Sequence, residues 1–403
     1  MEHAVTPAQP ARVVAGCLLG ATDAGPVVRR QVGARLYAAD GTEWLDAATG
    51  GFGPGHPAVT ARIAAQLRRV ALSSRVFVSR PLAEAVTALD ALAPDPLTLS
   101  YLCNSGAEAL DAAVKLAKGT HPRRRRMLGI RGVGHGSLSH GLSLTVGSAL
   151  TGDAPLSPVT VSADRAADLV DLVDDSIAAV VLAPAGPGRA LADLPVSWWR
   201  RLRTACDETD ALLVLDERVT GPARVGAGLA SDLLPIRPDA VVLGESLGAD
   251  AVPVGCMITS RARYDRVYGR RNPTVQGSTF GANPLSAAAI AAVLSVVRDE
   301  DLPARQRDVE AVALRILGGL ADDRGPVRAI GADGSLIWVR TDSPETAAAL
   351  HRGLARKRVL TRSPTGAVIG VLPPLTAHPS DIDELLNRVA AATATLTPQE
   401  VAS

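Results

Sequence analysis

Short, uninterrupted apolar segments divide the middle of the chain. Residues 212–215 and 240–243 are rich in Leu and Val; the first segment runs directly into Asp216, and the second is followed by a glycine and Glu245. Apolar segments of this length, separated by stretches long enough for helices, predict parallel strands that are covered on both faces. Because ligands bind at the carboxyl ends of such strands, we expect Asp216 and Glu245 to face one site.

The pattern changes towards both ends of the chain. Residues 34–47 read as two short strands around Asp40 and Gly41, a pair of residues typical of a hairpin turn. Beyond residue 295 the order becomes helix, strands and helix. The bounds expected there are 335–340 and 367–371 for strands and 382–392 for a closing helix.

A segment of small residues precedes a helix near residue 105. Residues 102–117 read LCNSGAEALDAAVKLA, in which a short apolar strand meets Asn-Ser-Gly. The start of such a helix presents free N–H groups that can bind an anion, here at Ser105, Gly106 and Ala107. The same residues fit an ordinary helix cap, and the pattern alone leaves both interpretations open.

Composition limits the classes of partner that we expect for the protein. The net charge is +1, which gives no reason to expect nucleic acid, and no apolar segment approaches membrane length, so a cytoplasmic protein is expected. Only three lysines occur, at Lys115, Lys118 and Lys357. The four cysteines lack the spacing of a metal site or of a disulfide framework; they are Cys17, Cys103, Cys206 and Cys256.

Four segments together resemble the class III aminotransferases of the ornithine and acetylornithine type, which have fold type I and depend on pyridoxal phosphate. They are NSGAEALDAAVKLA, LLVLDERVTGPARVG, PDAVVLGESLGADAVPVG and GSTFGANPLSAA, and the resemblance extends over about residues 34–395. It implies a mainly parallel seven-stranded sheet in a large α/β domain and a small α+β domain built from both chain ends. We place an N-terminal arm and part of the small domain at 1–47, the large domain at 48–295 and the C-terminal small domain at 296–403.

The resemblance also implies roles for individual residues. Asp216 matches the residue that binds the pyridine nitrogen, and Ser105, Gly106 and Ala107 match the phosphate cup. Thr279 matches a threonine that reaches the phosphate of a neighbouring subunit, which favours a homodimer. An alternative is that its loop is kept only for dimer packing.

Several matching positions depart from the family. The position of the lysine that forms the Schiff base is Glu245, the stacking aromatic is Gly134, and the arginine that binds the substrate carboxylate is Gly370. Val219 replaces a residue near the phenolic oxygen of the cofactor, and Arg218 replaces an apolar residue. Arg218 is interpreted as a surface or interface charge, or as a substrate contact.

From these departures we predict that the protein is not a transaminase and holds no covalently bound pyridoxal phosphate. The expected function is that of a repurposed biosynthetic enzyme that cyclises, dehydrates, isomerises or condenses a small-molecule substrate. Glu245 would be its acid or base, at the bottom of a partly closed cavity, where desolvation would raise its pKa and nearby cations would lower it. His135 and His140 follow in GVGHGSLSHG as further catalytic candidates, although His140 also fits a satisfied turn histidine. No metal site is predicted.

Two alternatives remain open from the sequence. The chain could be a non-catalytic subunit that pairs with an active homologue and lends it Thr279. It could also hold pyridoxal or pyridoxamine phosphate without a covalent bond, with Asp216 on the ring nitrogen. Neither alternative predicts a nucleic-acid or membrane partner.

Overall fold

The computed structural model describes residues 26–73, 78–146, 156–269 and 275–396. Contacts divide these residues into two compact units. One runs from Pro57 to Ala304, and the other combines the residues up to His56 with those from Arg305 onward. Most of the expected N-terminal arm, together with Cys17, lies outside the described residues, and the domain boundaries expected after residues 47 and 295 stay a prediction.

The strands and helices of the described residues are as follows. The strands are β1 (Val28–Val32), β2 (Arg35–Ala38), β3 (Glu43–Asp46), β4 (Leu99–Cys103), β5 (Arg126–Ile130), β6 (Ser157–Val161), β7 (Ile177–Leu182), β8 (Leu212–Asp216), β9 (Ala240–Leu243), β10 (Gly255–Thr259), β11 (Val327–Asp333), β12 (Leu336–Thr341), β13 (Val359–Leu360) and β14 (Val368–Val371). The helices are α1 (Pro57–Arg69), α2 (Arg80–Leu92), α3 (Gly106–Thr120), α4 (Ser139–Val146), α5 (Val196–Thr209), α6 (Arg261–Val267), α7 (Pro284–Asp299), α8 (Leu302–Leu317), α9 (Pro344–Arg356) and α10 (Pro379–Ala394).

A seven-stranded sheet forms the centre of the larger unit. Its strand order is β4-β10-β9-β8-β7-β5-β6, and every neighbouring pair is parallel except the two pairs that include β10. All residues of β7, β8 and β9 are buried, as their apolar sequences require when helices cover both faces of a sheet. The predicted fold class, an α/β fold of the fold type I aminotransferase kind, is confirmed.

The strand directions bring four chain segments to one edge of this sheet. Strands β4, β5, β8 and β9 run the same way, because β10 is antiparallel to both β4 and β9. Their carboxyl ends therefore meet at one edge. Ser105 follows β4, His135 follows β5, Asp216 ends β8, and Glu245 follows β9, so the sheet places most of the candidate residues together.

The smaller unit contains two sheets. One has the order β1-β2-β3-β13, and the other is antiparallel with the order β11-β12-β14. Strands β2 and β3 form the hairpin predicted around Asp40 and Gly41, and pair Leu36 with Trp44. The strands and the closing helix expected in this region correspond to β12, β14 and α10. Within the described ranges, no helix is both long enough and apolar enough to cross a membrane.

Candidate active site

Side-chain hydrogen bonds cap the start of α3. Ser105 is the N-cap, and its hydroxyl oxygen accepts a hydrogen bond from the N–H of Glu108 at 3.2 Å. The Glu108 carboxylate in turn accepts from the N–H of Asn104 at 3.2 Å. Gly106 and Ala107 are the first two helical residues, whose N–H groups have no acceptor inside the helix and which lie at its positive end. Ser105, Gly106 and Ala107 therefore lie together at the capped start of the helix, and their binding of an anion stays a prediction.

A glycine on the neighbouring strand permits this arrangement. A Cβ atom at Gly255, the first residue of β10, would lie 2.0 Å from the carbonyl oxygen of Ser105 and 2.8 Å from the backbone nitrogen of Gly106. No side chain fits at that separation. The start of α3 is held against β10 by direct backbone approach, which keeps its N–H groups at the edge of the sheet.

Asp216 is the buried carboxylate of the site. Its Oδ2 atom lies 2.8 Å from Nδ1 of His135 and accepts from Nη2 of Arg218 at 2.7 Å. Its Oδ1 atom accepts from Nε of Arg218, also at 2.7 Å. Burial alone would raise the pKa of Asp216, but His135 and the Arg218 guanidinium outweigh burial and hold that pKa well below its usual range. Asp216 is therefore ionised, and Arg218 binds it in a bidentate manner.

Arg218 is part of the site and not a surface charge. Its side chain is only 14% exposed, and Nη2 also donates to the carbonyl oxygen of Gly134 at 2.8 Å. Burial opposes its charge, but the carboxylates of Asp216 and Glu245 raise the pKa of the guanidinium. The sequence held one signal for this contact, since Arg218 comes two residues after an acidic group at the end of a buried strand.

Glu217 fixes the segment that carries Arg218. It is fully buried, and its carboxylate accepts from the N–H groups of Ala230 and Ser231 and from the hydroxyl of Thr220. Burial raises the pKa of Glu217, whereas these donors lower it and leave it above its ordinary value. The segment after β8 is thus tied back to residues 230–231, a role that sequence reasoning missed.

Glu245 does not occupy the predicted position at the bottom of a cavity. It is exposed, and it opens a 3-10 turn, Glu245–Gly248, in which Ser246, Leu247 and Gly248 are all buried. The turn follows Gly244 directly after β9, and it directs its other residues inward. Glu245 is therefore not desolvated, and the expectation that it lies buried in a cavity is wrong.

The two candidate histidines lie in different surroundings. The side chain of His135 is fully buried beside Asp216, and its Nε2 atom has no hydrogen-bond partner among the described residues. Nδ1 of His140, near the start of α4, lies 3.5 Å from Oδ1 of Asp111. The structure therefore brings His135 to Asp216 and pairs His140 with a carboxylate on α3.

Thr279 is exposed, whereas the preceding residue, Ser278, is anchored at the start of α3. The hydroxyl of Ser278 accepts from Nδ2 of Asn104 at 2.6 Å and donates to Glu108 at 3.1 Å. Thr279 itself is exposed, and Phe280 is 55% exposed. The segment is thus held at the start of α3 while Thr279 remains accessible.

The lysines of the larger unit lie away from this edge. Lys115 forms an ion pair with Asp111 at 2.6 Å. Lys115 and Lys118 come nine and twelve residues after the first residue of α3, which is about 14 and 18 Å along a helix. Lys357 belongs to the smaller unit, at the end of α9.

Comparison with known proteins identifies relatives over most of the chain. The aminotransferase class-III family matches residues 20–393. An acetylornithine aminotransferase of Methanopyrus kandleri is 30% identical over 89% of this chain and 92% of that protein. One of Corynebacterium efficiens is 31% identical over 90% of this chain and 91% of that protein.

Solved structures share the fold. The ornithine aminotransferase of Toxoplasma gondii has a TM-score of 0.83 at 24% identity, covering 98% of this chain and 94% of that chain. The acetylornithine aminotransferase of Elizabethkingia anophelis has a TM-score of 0.77 at 21% identity, covering 96% and 97%. At these identities the likeness establishes the fold alone.

These findings contradict the functional predictions made from the sequence. The prediction that the protein is not a transaminase, whether as a repurposed enzyme or as a non-catalytic subunit, is contradicted by two full-length relatives that are aminotransferases. The prediction that no pyridoxal phosphate is covalently bound is contradicted by the same relationship, because aminotransferases of this family hold the cofactor covalently. The chain belongs to the class-III aminotransferase family.

Proposed function

We propose that the protein is an aminotransferase that acts on a small amine or amino acid with pyridoxal phosphate as cofactor. The observation that carries this proposal is the anion site at the start of α3, at the same sheet edge as the buried, ionised Asp216. Family membership and two acetylornithine aminotransferases as full-length relatives support it. When bound, the cofactor supplies an electron sink for bonds at the amine-bearing carbon.

The residues at the site fit one part of this cofactor well. A phosphate group suits the N–H groups of Gly106 and Ala107, which are aimed outward from the positive end of α3. Ser105 and Glu108 keep that end of the helix in place through their hydrogen bonds. In this role the chain binds and orients the anionic end of the cofactor.

The same residues fit the rest of the cofactor less well. Glu245 has no amine with which to form an imine, and the lysines of α3 lie about 14 Å or more from its start. The Asp216 carboxylate is already bound by Arg218 and His135. We therefore derive no step that requires an amine at position 245.

We further propose that the protein is a homodimer in which Thr279 contacts the site of the second copy. Its support is the anchoring of Ser278 at the start of α3 beside an exposed Thr279. A small-molecule substrate follows from the family. Cytoplasmic location stays a prediction.

The function is tested by assaying amino transfer from ornithine and from acetylornithine to a keto-acid acceptor, with and without saturating pyridoxal phosphate. We expect turnover that depends on the cofactor and that falls at least about a hundredfold in Asp216→Asn, the scale of losing a key electrostatic contact. Turnover no higher than that of heat-denatured protein with both donors would contradict the proposal.

Covalent attachment is tested separately. The protein is incubated with pyridoxal phosphate, reduced with borohydride and mapped by peptide mass spectrometry over Lys115, Lys118 and Lys357. A single modified lysine, lost when that residue is changed to Arg, would identify the attachment point. The same treatment of denatured protein controls for nonspecific labelling, and modification at the denatured level only would contradict covalent attachment.

A further inference from the structure

All hydrogen-bonding positions of Asp216 are in use. Oδ1 accepts from Nε of Arg218 at 2.7 Å and faces its backbone N–H at 3.4 Å. Oδ2 receives Nη2 of Arg218 at 2.7 Å and Nδ1 of His135 at 2.8 Å. A carboxylate has about four acceptor positions. A further donor, such as the ring nitrogen of pyridoxal phosphate, can reach Asp216 only if one of these partners leaves.

Arg218 is the partner that can leave. His135 has a fully buried side chain on a segment beside β5, whereas Arg218 retains 14% exposure and has a long, unbranched stem. Its guanidinium is charged at any relevant pH. It can therefore exchange one carboxylate for another without titrating.

Glycines from three segments form a slot for the Arg218 side chain. A Cβ atom at Gly106 would lie 2.3 Å from Cδ of Arg218. A Cβ at Gly136 would lie 3.3 Å from Nη1, and one at Gly244 would lie 3.3 Å from Cβ and Cγ. The arginine thus lies across the start of α3, beside the N–H groups assigned to phosphate. An anion bound there would face the guanidinium directly.

A second carboxylate adjoins the slot. Glu245 directly follows Gly244, which contacts the stem of Arg218, and its side chain is exposed. The field of Glu245 acts on Arg218, together with that of Asp216. Glu245 therefore supplies a second carboxylate for a guanidinium that leaves Asp216.

We propose that Arg218 is a gate for Asp216: it holds the carboxylate in the free protein and moves to Glu245 when the ring of pyridoxal phosphate binds. This inference rests on the proposed function for the identity of the ligand. In this proposal Glu245 is a positioning residue that stabilises Arg218 after it has left Asp216. A ligand shifts such an equilibrium only by its differential affinity for the two states, so the closed gate reduces the apparent affinity for the cofactor.

The gate is tested by ligand binding, without turnover. Pyridoxal phosphate and inorganic phosphate are titrated against wild type and Arg218→Leu, following absorbance for the former and thermal stability for both. Both ligands bring a phosphate to the start of α3 beside Arg218, so the readout is the ratio of the two dissociation constants, which isolates the contribution of the ring. We expect Arg218→Leu to raise the preference for pyridoxal phosphate about tenfold or more, the scale of one charge-assisted hydrogen bond. An unchanged or lower preference would overturn the gate.

Two further variants make this test specific. Arg131→Leu removes an exposed arginine that follows β5 at the same edge and hydrogen-bonds Thr160, and it should leave the preference unchanged. Asp216→Asn combined with Arg218→Leu should abolish the gain, because the ring nitrogen then lacks its carboxylate. Retention of the full gain in the double variant would show that the gate does not act on Asp216.

Glu245→Gln keeps the gate testable even if Arg218→Leu fails to fold, because residue 245 is exposed. We expect Glu245→Gln to lower the preference for pyridoxal phosphate two- to fivefold relative to wild type. An unchanged preference would contradict the role of Glu245. The binding assays also separate the two proposals. Amino transfer without a gain in Arg218→Leu would leave the function standing and remove the gate, whereas a gain without amino transfer would do the reverse.

Discussion

Asp216 and Arg218 form a buried ion pair at the edge of the central sheet. Each charge would destabilise the folded chain if it were buried without its partner. Taking a charge out of water has a large penalty, which is offset only while the partner and the accompanying hydrogen bonds remain. The Asp216 carboxylate offsets the charge of Arg218 and orders the ring of His135. Stability and the proposed cofactor binding therefore depend on the same few atoms.

Removal of the Asp216 carboxylate should destabilise the protein in a pH-dependent manner. The pKa of Asp216 is lower in the folded chain than its unfolded value of about 3.9. Its contribution is therefore fully present above pH ~4 and is lost as the pH falls towards the folded value. We expect Asp216→Asn to lower the free energy of unfolding by about 3 kcal/mol at pH 7, because Arg218 is left buried without its partner.

Urea denaturation at pH 7, 5 and 3.5 checks this expectation. The difference between wild type and Asp216→Asn should shrink at the lowest pH. Asp90→Asn, at an exposed position on α2, is the control and should change stability by less than about 0.5 kcal/mol. A difference for Asp216→Asn that is constant with pH would show that the carboxylate is not coupled to folding.

Part of this residue-level arrangement could be predicted from the sequence. The end of a buried strand located Asp216, and the small residues at 105–107 located the start of α3. The positions of Arg218 and Glu245 could not be predicted, because they depend on how the chain turns after a strand. The Arg218 side chain folds back to Asp216, whereas the 3-10 turn leaves the Glu245 carboxylate exposed. Neither turn has a signature that fixes a side-chain direction.

At the scale of elements, the contact between α3 and β10 determines where the proposed anion site lies. The connection from β9 to β10 spans residues 244–254 and contains only a 3-10 turn. A parallel crossover needs a dozen or more residues, usually with a helix, so the short connection returns β10 antiparallel to β9. This reversal carries Gly255 past the carbonyl of Ser105. The apolar pattern predicted the strands but not this one reversed direction, which depends on the connection.

Gly255→Ala should separate these two elements. The new Cβ would lie 2.0 Å from the Ser105 carbonyl oxygen, so the backbone must shift, at a typical overpacking cost of about 1–3 kcal/mol. We expect weaker binding of inorganic phosphate together with a lower midpoint of thermal unfolding. Gly186→Ala is a suitable control, since its Cβ would meet no atom within 4 Å. Equal effects of the two substitutions would contradict the proposed importance of this close approach.

At the scale of the molecule, the sheet and family could be predicted from the sequence, while the function could not. The prediction of lost transamination relied on four departures from the family taken together, at Glu245, Gly134, Val219 and Gly370. The relatives match nine-tenths of the chain and are aminotransferases, which contradicts that prediction. Single positions carry little information about how neighbouring side chains rearrange, and Arg218, which reaches into the site from an unexpected position, illustrates the difficulty.

The proposed homodimer should depend on the segment that carries Thr279. Phe280 is 55% exposed and Val275 is 71% exposed in the single chain, and exposed apolar side chains grouped near a site are typical of an interface. We expect sedimentation to show a dimer for wild type and a shift towards monomer for Phe280→Asp, because a charge buried at an interface lacks a partner. Leu314→Asp, at an exposed leucine on α8, should leave the dimer intact. If Thr279 completes the site of the second copy, Phe280→Asp should also weaken phosphate binding more at low protein concentration than at high. A monomeric wild type, or phosphate affinity independent of protein concentration in Phe280→Asp, would contradict the shared site.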